Sequence, residues 1–358
     1  MQHTATYDIV IIGAGPAGAN FARLIDTKRY RVLLLDASEV RPKVCAGLLS
    51  PDAQHLLAHY RITLPPDVLV DPQLSSVRVI DLNDPHIRHY RRTYLNLDRS
   101  AFDRFLVGLI PKAVDVIRAR CHSIERREDA FLLHIHHADG RQEDITAHYI
   151  VGADGASSIV RRSLFGEHPI QKYVSIQQWF PADEMDPYYS CVFDHTTSDS
   201  CSWIFFKDSQ LVFGGAFSPH GCRAAFEEQK RKLIERGIIP AEVLENPAKT
   251  EACRVSRPHL TKGIFRGERG AYLIGEAAGF ISPSSFEGIS YALSSGEALA
   301  MAFNQNDGQK AILRVYRRRT LGLSLKIKAK CLKRPFMYVS ALRRLILRTG
   351  LGSTKKIN

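Results

Sequence analysis

The sequence predicts an α/β chain, α+β in its two-lobed layout: a βαβ domain interrupted by an inserted antiparallel β-sheet, followed by a helical C-terminal segment. Three observations carry this prediction. The chain opens "YDIVIIGAGPAGANFARLI", which reads as a strand, a glycine turn and a helix. A second strand that ends in glycine, "AYLIGEAAGF", returns near residue 271. Between them, residues 173–216 form short aromatic runs ("YVSIQQWF", "YYSCVFD", "CSWIFF", "QLVFGGAF") separated by turn residues, the pattern of an inserted sheet. At 358 residues the chain is long for one core, which favours two lobes.

The elements follow in order. "DIVIIG" is a buried-strand pattern, the next helix covers 16–26, and "RVLLLD" is a second strand ending at Asp36. "LSPDAQHLLAHY" starts a helix with Ser50 as N-cap, Pro51 at the first helical position and Asp52 at its positive end, so this helix aims the preceding loop "SEVRPKVCAGL". "NLDRSAFDRFLVGLI" is another amphipathic helix, and "AFLLHIHHADGRQEDITAHYIVGADG" is a hairpin that turns at Asp139-Gly140. The chain after "SYALSSGEALAMAF" reads as helical. The nucleotide-binding domain is thus expected from 1–75, 98–168 and 265–305, the β-rich substrate domain from 76–97 and 169–264, and a basic helical region from 306–358.

Composition narrows the function classes. With 45% hydrophobic and 24% charged residues and no apolar run of bilayer length, no membrane span is expected. "DIVIIGAG" is too short and glycine-rich for a secretory segment, so a cytoplasmic location is expected, with peripheral contact at the inner membrane face. Seven cysteines without a C-x-x-C pair suggest neither a disulfide framework nor a metal. The net charge of +12 is a C-terminal property, since 308–358 holds 15 Lys/Arg and no Asp or Glu, leaving 34 basic against 37 acidic residues upstream. Such a block suggests an anionic surface. With no nucleic-acid motif present, lipid is the expected partner and nucleic acid is not. In "RPFMYVSALRRLILRTGLGSTKK" a helix gathers Tyr338, Val339, Leu342, Leu345 and Ile346 on one side, with Arg344 and Arg348 opposite and Arg343 near the boundary. That side suits either a membrane or the protein's own substrate domain.

In "GAGPAG", Gly13, Gly15 and Gly18 stand at G-x-G-x-x-G spacing, with Ala14, Pro16 and Ala17 keeping the turn small enough for a pyrophosphate to approach the helix N-terminus. Asp36 closes the next strand, where its carboxylate can accept from a ribose hydroxyl. This is a Rossmann-type dinucleotide site, and by itself it does not separate NAD from FAD.

Two downstream stretches separate them. "YIVGADGASSIVRRSLF" places Asp154-Gly155 at a strand end, and "AYLIGEAAGF" places Gly275-Glu276 at another. With "LDRSAFDRFL" they resemble the three fingerprints of the glutathione-reductase-type flavoproteins related to p-hydroxybenzoate hydroxylase. The resemblance implies a non-covalent FAD held by the glycine turn, Asp36, Arg99, Asp154, Gly155, Gly275, Glu276 and the helix opening at Gly288 and Ile289. In that group the last fingerprint carries an aspartate on the ribityl chain, and Glu276 replaces it here.

"RPKVCAGLLSPDA" and "CSWIFFKD" resemble the K-P-C-G-G-like loop and Y-x-W-x-F-P-K box of the geranylgeranyl reductase family, with whole phrases ("SIQQWF", "GEAAGFIS", "EGISYAL") closest to its CbrA-like members. Trp203, Phe205 and Lys207 match the box, while Cys201 and Phe206 depart from it. The resemblance places Cys45 beside the flavin, with Lys43, Ala46 and Gly47 in the same cofactor loop, and implies reduction of C=C bonds in an isoprenoid or similar apolar substrate. Positive neighbours favour a reactive thiol, which makes Cys45 the candidate catalytic residue. Trp203 and Phe205 share a strand face that could hold a hydrocarbon, and Lys207 could meet a phosphate. Without a second glycine motif, NAD(P)H or another carrier would have to dock transiently as electron donor. The same fold also hydroxylates aromatic or apolar small molecules, so an FAD-dependent monooxygenase is the alternative.

Overall fold

The structure, a computed structural model, describes residues 5–37, 44–85, 87–166, 170–182 and 186–349, with the backbone alone over 345–349. The opening run behaves as its pattern demands. Ala5–Ile12 is a strand with Ile9 to Ile12 buried, and it pairs in parallel with Val32–Asp36 through Ile9↔Val32 to Ile12↔Leu35. Between them runs helix Pro16–Leu24, with Gly15 as its cap and Pro16 at the first helical position. Residues 131–152 form the expected hairpin, Phe131–His137 against Gln142–Gly152, with Gly140 turning at φ +87°. The second hairpin strand is long enough to continue past its partner. Its end runs parallel to Ala5–Ile12, pairing Ile12 with Gly152, while Ala271–Leu273 lies in parallel on its other side.

This order has a direct consequence for the site. The strands ending at Leu273, Gly152, Ile12 and Asp36 are consecutive neighbours in one sheet and point the same way. Their carboxyl ends therefore deliver four loops to one edge, the place where open α/β sheets bind ligands.

The second sheet has eight strands and joins segments from three parts of the chain, in the order Lys249–Arg257, Gln171–Pro181, Gln210–Phe217, Cys201–Lys207, Tyr188–Phe193, Leu74–Asp81, Arg88–Asn96, Leu48–Leu49. It corrects the expectation of a wholly antiparallel sheet: Tyr188–Phe193 runs parallel to Leu74–Asp81. The chain passes back through the first domain between these strands, and so long a crossover permits a parallel pairing that a hairpin forbids. Side chains alternate as a half-buried strand requires. On Cys201–Lys207, Ile204 and Phe206 meet Phe226 and Leu233 of helix Cys222–Glu235, while Trp203 and Phe205 face the first domain. Helix Cys222–Glu235 lies inside the region expected to be β-rich; its signal is the spacing of Phe226, Gln229 and Leu233 on a charged background.

The closing part is helical, as Ile289–Gln305, Gln309–Arg319, Leu321–Tyr338 and Ser340–Thr349. The last two are separate helices, because the backbone becomes extended at Val339. Tyr338 and Val339 accordingly stand outside the last helix, so the five residues expected on one side do not share a single helix. Tyr338 packs on Phe193 with ring centroids 5.6 Å apart, and Arg343 is buried in an ion pair with Asp81, its Nε 2.9 Å from the carboxylate. The tail docks on the second sheet here, the competing arrangement. The side chains of Leu345, Ile346 and Arg348 lie outside the described residues.

Candidate functional site

The four strand-end loops and the second sheet enclose a cleft of about 1850 Å³. Its floor is the glycine turn. Gly13 takes φ +106° and donates its N–H to the Leu35 carbonyl at 3.0 Å. A Cβ on Gly18 would stand 2.0 Å from the Gly13 carbonyl oxygen, so only glycine lets the helix start this close to the turn. A Cβ on Gly15 would meet no protein atom within 4 Å, because it would project into the cleft. That open cradle at a helix N-terminus fits a pyrophosphate. Ala14, Pro16, Ala17 and Asp36 border the same space.

Asp154 and Glu276 are brought to this edge with protein partners of their own. Asp154 Oδ2 accepts from the Ile159 and Val160 N–H groups at 2.6 and 3.3 Å, capping helix Ile159–Phe165, and burial pushes its carboxyl above the usual range. Glu276 Oε1 accepts from the Ser256 N–H at 2.8 Å and ties the turn to the second sheet. Gly155, Gly288 and Ile289 line the cleft, the last two at the start of a 17-residue helix. Gly275, at φ +56°, stands aside from the lining and lets its turn press on Ala17.

Cys45 and Ala46 line the cleft opposite, while Lys43 lies outside the described residues. The Cys45 thiol accepts from the Gly47 N–H at 3.4 Å and lies beside Arg99. Burial weakens the hold of Arg99 on its proton, but the Asp103 carboxylate and the Cys45 sulfur outweigh it, and the net shift is upward. Arg99 is in turn held by Asp103, Nε to Oδ1 at 2.9 Å.

The substrate residues divide. Trp203 borders the cleft, with its indole Nε1 unpaired over Gly214, where any Cβ would stand 2.5 Å from that nitrogen. Phe205 is fully buried against Tyr189 and does not reach the cleft. Lys207 is corrected from phosphate ligand to positioning residue: it is buried, donating to the Ala46 carbonyl at 2.9 Å and the Leu97 carbonyl at 2.8 Å. Gly47 also serves this clamp, since a Cβ there would stand 2.4 Å from Lys207 Nζ. The second sheet thereby holds the Cys45 loop against the first domain.

Burial pushes the Lys207 ammonium down to about 8, against the opposing pull of Cys45 and Asp98. In the unfolded chain the group keeps its ordinary value of 10.5, so between the two values the unfolded state binds more protons and stability rises with pH. The contribution is complete above 10.5 and lost as pH falls through about 8. It is worth on the order of 3 kcal/mol. Urea melts of wild type and Lys207→Met at both ends of that window should show the difference moving in favour of wild type as pH rises. A difference that stays constant would mean Lys207 does not titrate there.

Tyr94, Tyr189 and Phe286 also border the cleft and were not read from the sequence. Phe286 has φ +53°, a strained conformation for a bulky residue, and packs on Tyr173 with centroids 5.5 Å apart. Its neighbour Glu287 accepts from the Ser290 N–H at 2.9 Å, fixing the loop before Gly288. Arg161, also unread, ties the loops after Gly152 and Leu273 together through the Ala277 carbonyl at 2.6 Å and the Ala156 carbonyl at 2.5 Å. Its only sequence signal is its place beside the "GADG" turn.

Comparison with known proteins agrees with this geometry. The chain matches the family described as FAD binding domain over residues 119–320, and that described as Lycopene cyclase protein over residues 8–207. It is 41% identical to Protein CbrA of Escherichia coli O6:H1 over 98% of this chain and 95% of that protein. Among solved structures it resembles a geranylgeranyl bacteriochlorophyll reductase-like protein from Thermoplasma acidophilum, with TM-score 0.82, 19% identity, and coverage of 99% of this chain and 94% of that one. It also resembles the p-nitrophenol 4-monooxygenase PnpA of Pseudomonas putida DLL-E4, with TM-score 0.72, 17% identity, and coverage of 97% and 93%. The last two likenesses concern the fold. Bound FAD would be held by the Gly13–Gly18 turn, Asp36, the Cys45 loop and the turns at Gly155 and Glu276, and would supply redox chemistry to the cleft. A cradle that only a glycine leaves open, placed at the shared edge of four parallel strands and matched over most of its length by CbrA, makes this chain a member of the FAD-dependent oxidoreductase family to which CbrA belongs.

Proposed function

We propose that the protein reduces carbon–carbon double bonds in an isoprenoid or similar apolar lipid, drawing electrons from NAD(P)H or another carrier that docks transiently. The observation that carries this reading is the aromatic face of the second sheet along the cleft, where Trp203, Tyr189 and Tyr94 cluster and offer a broad apolar surface to a long hydrocarbon, with Phe286 bordering the cleft from the loop before Gly288. Such a surface excludes water and aligns a bond that has no polar handle of its own. At the rim, exposed Arg92 and half-buried Lys330 border the same cleft and suit an anionic headgroup. Cys45 is the proposed proton donor, held by the Lys207 clamp and by Arg99.

The test is turnover of prereduced protein without oxygen on geranylgeranyl-bearing lipids, followed by mass spectrometry of the product. Saturation appears as a gain of two hydrogens, whereas an oxygenated product formed only in air would establish the monooxygenase reading instead. Cys45→Ser should keep FAD bound, because the clamp acts on the backbone of the loop, and should slow substrate-dependent reoxidation by roughly 10²-fold, as for loss of a general acid. An unchanged rate of that step would make Cys45 a structural thiol.

A further inference from the structure

We propose that the outward face of helix Leu321–Tyr338 is a docking surface for a lipid bilayer with anionic headgroups. Among the described residues seven large apolar side chains are left exposed, and five of them belong to this one stretch: Leu321, Leu325, Leu332, Phe336 and Val339, between 48 and 61% exposed. Isolated exposed leucines need no explanation, but these recur at intervals of four, seven, four and three, which sets them on one face of a helix. This stripe lies mostly upstream of the one suggested by the sequence pattern and shares only Val339 with it; Tyr338 is half-buried on Phe193 and Arg343 is buried against Asp81.

The stripe cannot turn inward, because the opposite side of the helix is tied down along its length. Lys326 pairs with Asp52 at 2.6 Å, Arg334 with Asp199 at 2.7 Å, and Ser324 and Ile327 are buried. The occupant follows from charge. Lys328 and Lys333 are exposed beside the stripe, and the segment from Gly308 onward holds 15 basic residues and no acidic one. A second copy meeting this face would bring like charges together. An anionic bilayer satisfies both the apolar stripe and the basic flanks, with lysine stems lying along the apolar surface. The proposal concerns this surface alone and holds whichever reaction the flavin site performs.

Flotation of the FAD-loaded, full-length protein tests it, with vesicles of phosphatidylcholine and phosphatidylglycerol in equal parts and with phosphatidylcholine alone. Binding is expected to the mixed vesicles only, and to weaken with added salt. Leu325→Glu combined with Leu332→Glu should lower partitioning on the order of 100-fold. Both positions are exposed, so flavin content and melting temperature should stay at wild-type values, and the milder pair Leu325→Ser and Leu332→Ser should give an intermediate loss. Equal binding to neutral vesicles, no binding to either, or undiminished binding by the double glutamate variant would overturn the proposal. So would a fall in native mass caused by that variant, because the face would then join two copies.

Discussion

Valine at Gly15 leaves a folded protein without FAD, whereas valine at Gly18 costs the fold itself. The two glycines belong to one motif but meet different surroundings. Gly15 has φ −67° and ψ −178°, an extended conformation open to any residue, and its absent Cβ faces the cleft with no protein atom within 4 Å. A valine there costs about 1 kcal/mol, since it is a poor N-cap, and fills the space a pyrophosphate must enter. Affinity for FAD should fall by roughly 10²-fold or more, about 3 kcal/mol. At Gly18 the added carbon would lie 2.0 Å from the carbonyl oxygen of Gly13, a backbone atom that cannot swing aside, so the turn and the helix must separate. Overpacking of this kind costs about 1–3 kcal/mol at a deformable site and more where the obstacle is backbone. Flavin absorbance after purification and thermal melts of the two variants report the contrast. A yellow Gly15→Val protein with wild-type affinity would place the dinucleotide elsewhere.

That contrast also shows how far the sequence could be read. The glycine turn, the Asp139-Gly140 hairpin and the N-cap at Ser50 are local signals, each completed within a few residues, and each appears where it was expected. Asp154 and Glu276 were legible as residues at strand ends, but their contacts were not: the carboxylate of one caps the helix that follows it, and the other reaches across to Ser256. Lys207 illustrates the limit more sharply. Period-two alternation puts it on the same face as Trp203 and Phe205, which is correct, but not how far along the strand the cleft extends. Its partners, Ala46 and Leu97, come from two other segments of the first domain, and no local pattern announces a meeting across so many residues. The parallel pairing of Tyr188–Phe193 with Leu74–Asp81 was hidden for the same reason, since a strand does not encode the direction of a neighbour that arrives by a long crossover. Tyr189 and Tyr94 come to lie beside Trp203 on the cleft through that pairing and its neighbour.

Removing the charge of Arg343 should destabilise the protein by about 3–5 kcal/mol, among the largest single effects expected outside the glycine turn. Its guanidinium is 95% out of reach of solvent and faces an Asp81 carboxylate that is equally enclosed, their exposures being 5% and 2%. Arg343 also donates to the Met337 carbonyl at 2.7 Å and stacks over Phe193 at 4.7 Å, so it closes the junction between the last two helices as well. Arg343→Met keeps most of the apolar stem but strands the Asp81 charge in the second sheet, and the uncompensated ion carries most of the cost. The double variant Arg343→Met with Asp81→Asn removes the stranded charge and should recover more than half of the loss. Neighbouring Arg344 is exposed, and its replacement by Met should change stability by no more than about 0.5 kcal/mol. Urea unfolding of the three variants decides the matter. If Arg343→Met proves as mild as Arg344→Met, the tail is not seated on the second sheet, and the face held outward by the adjoining helix loses part of its support.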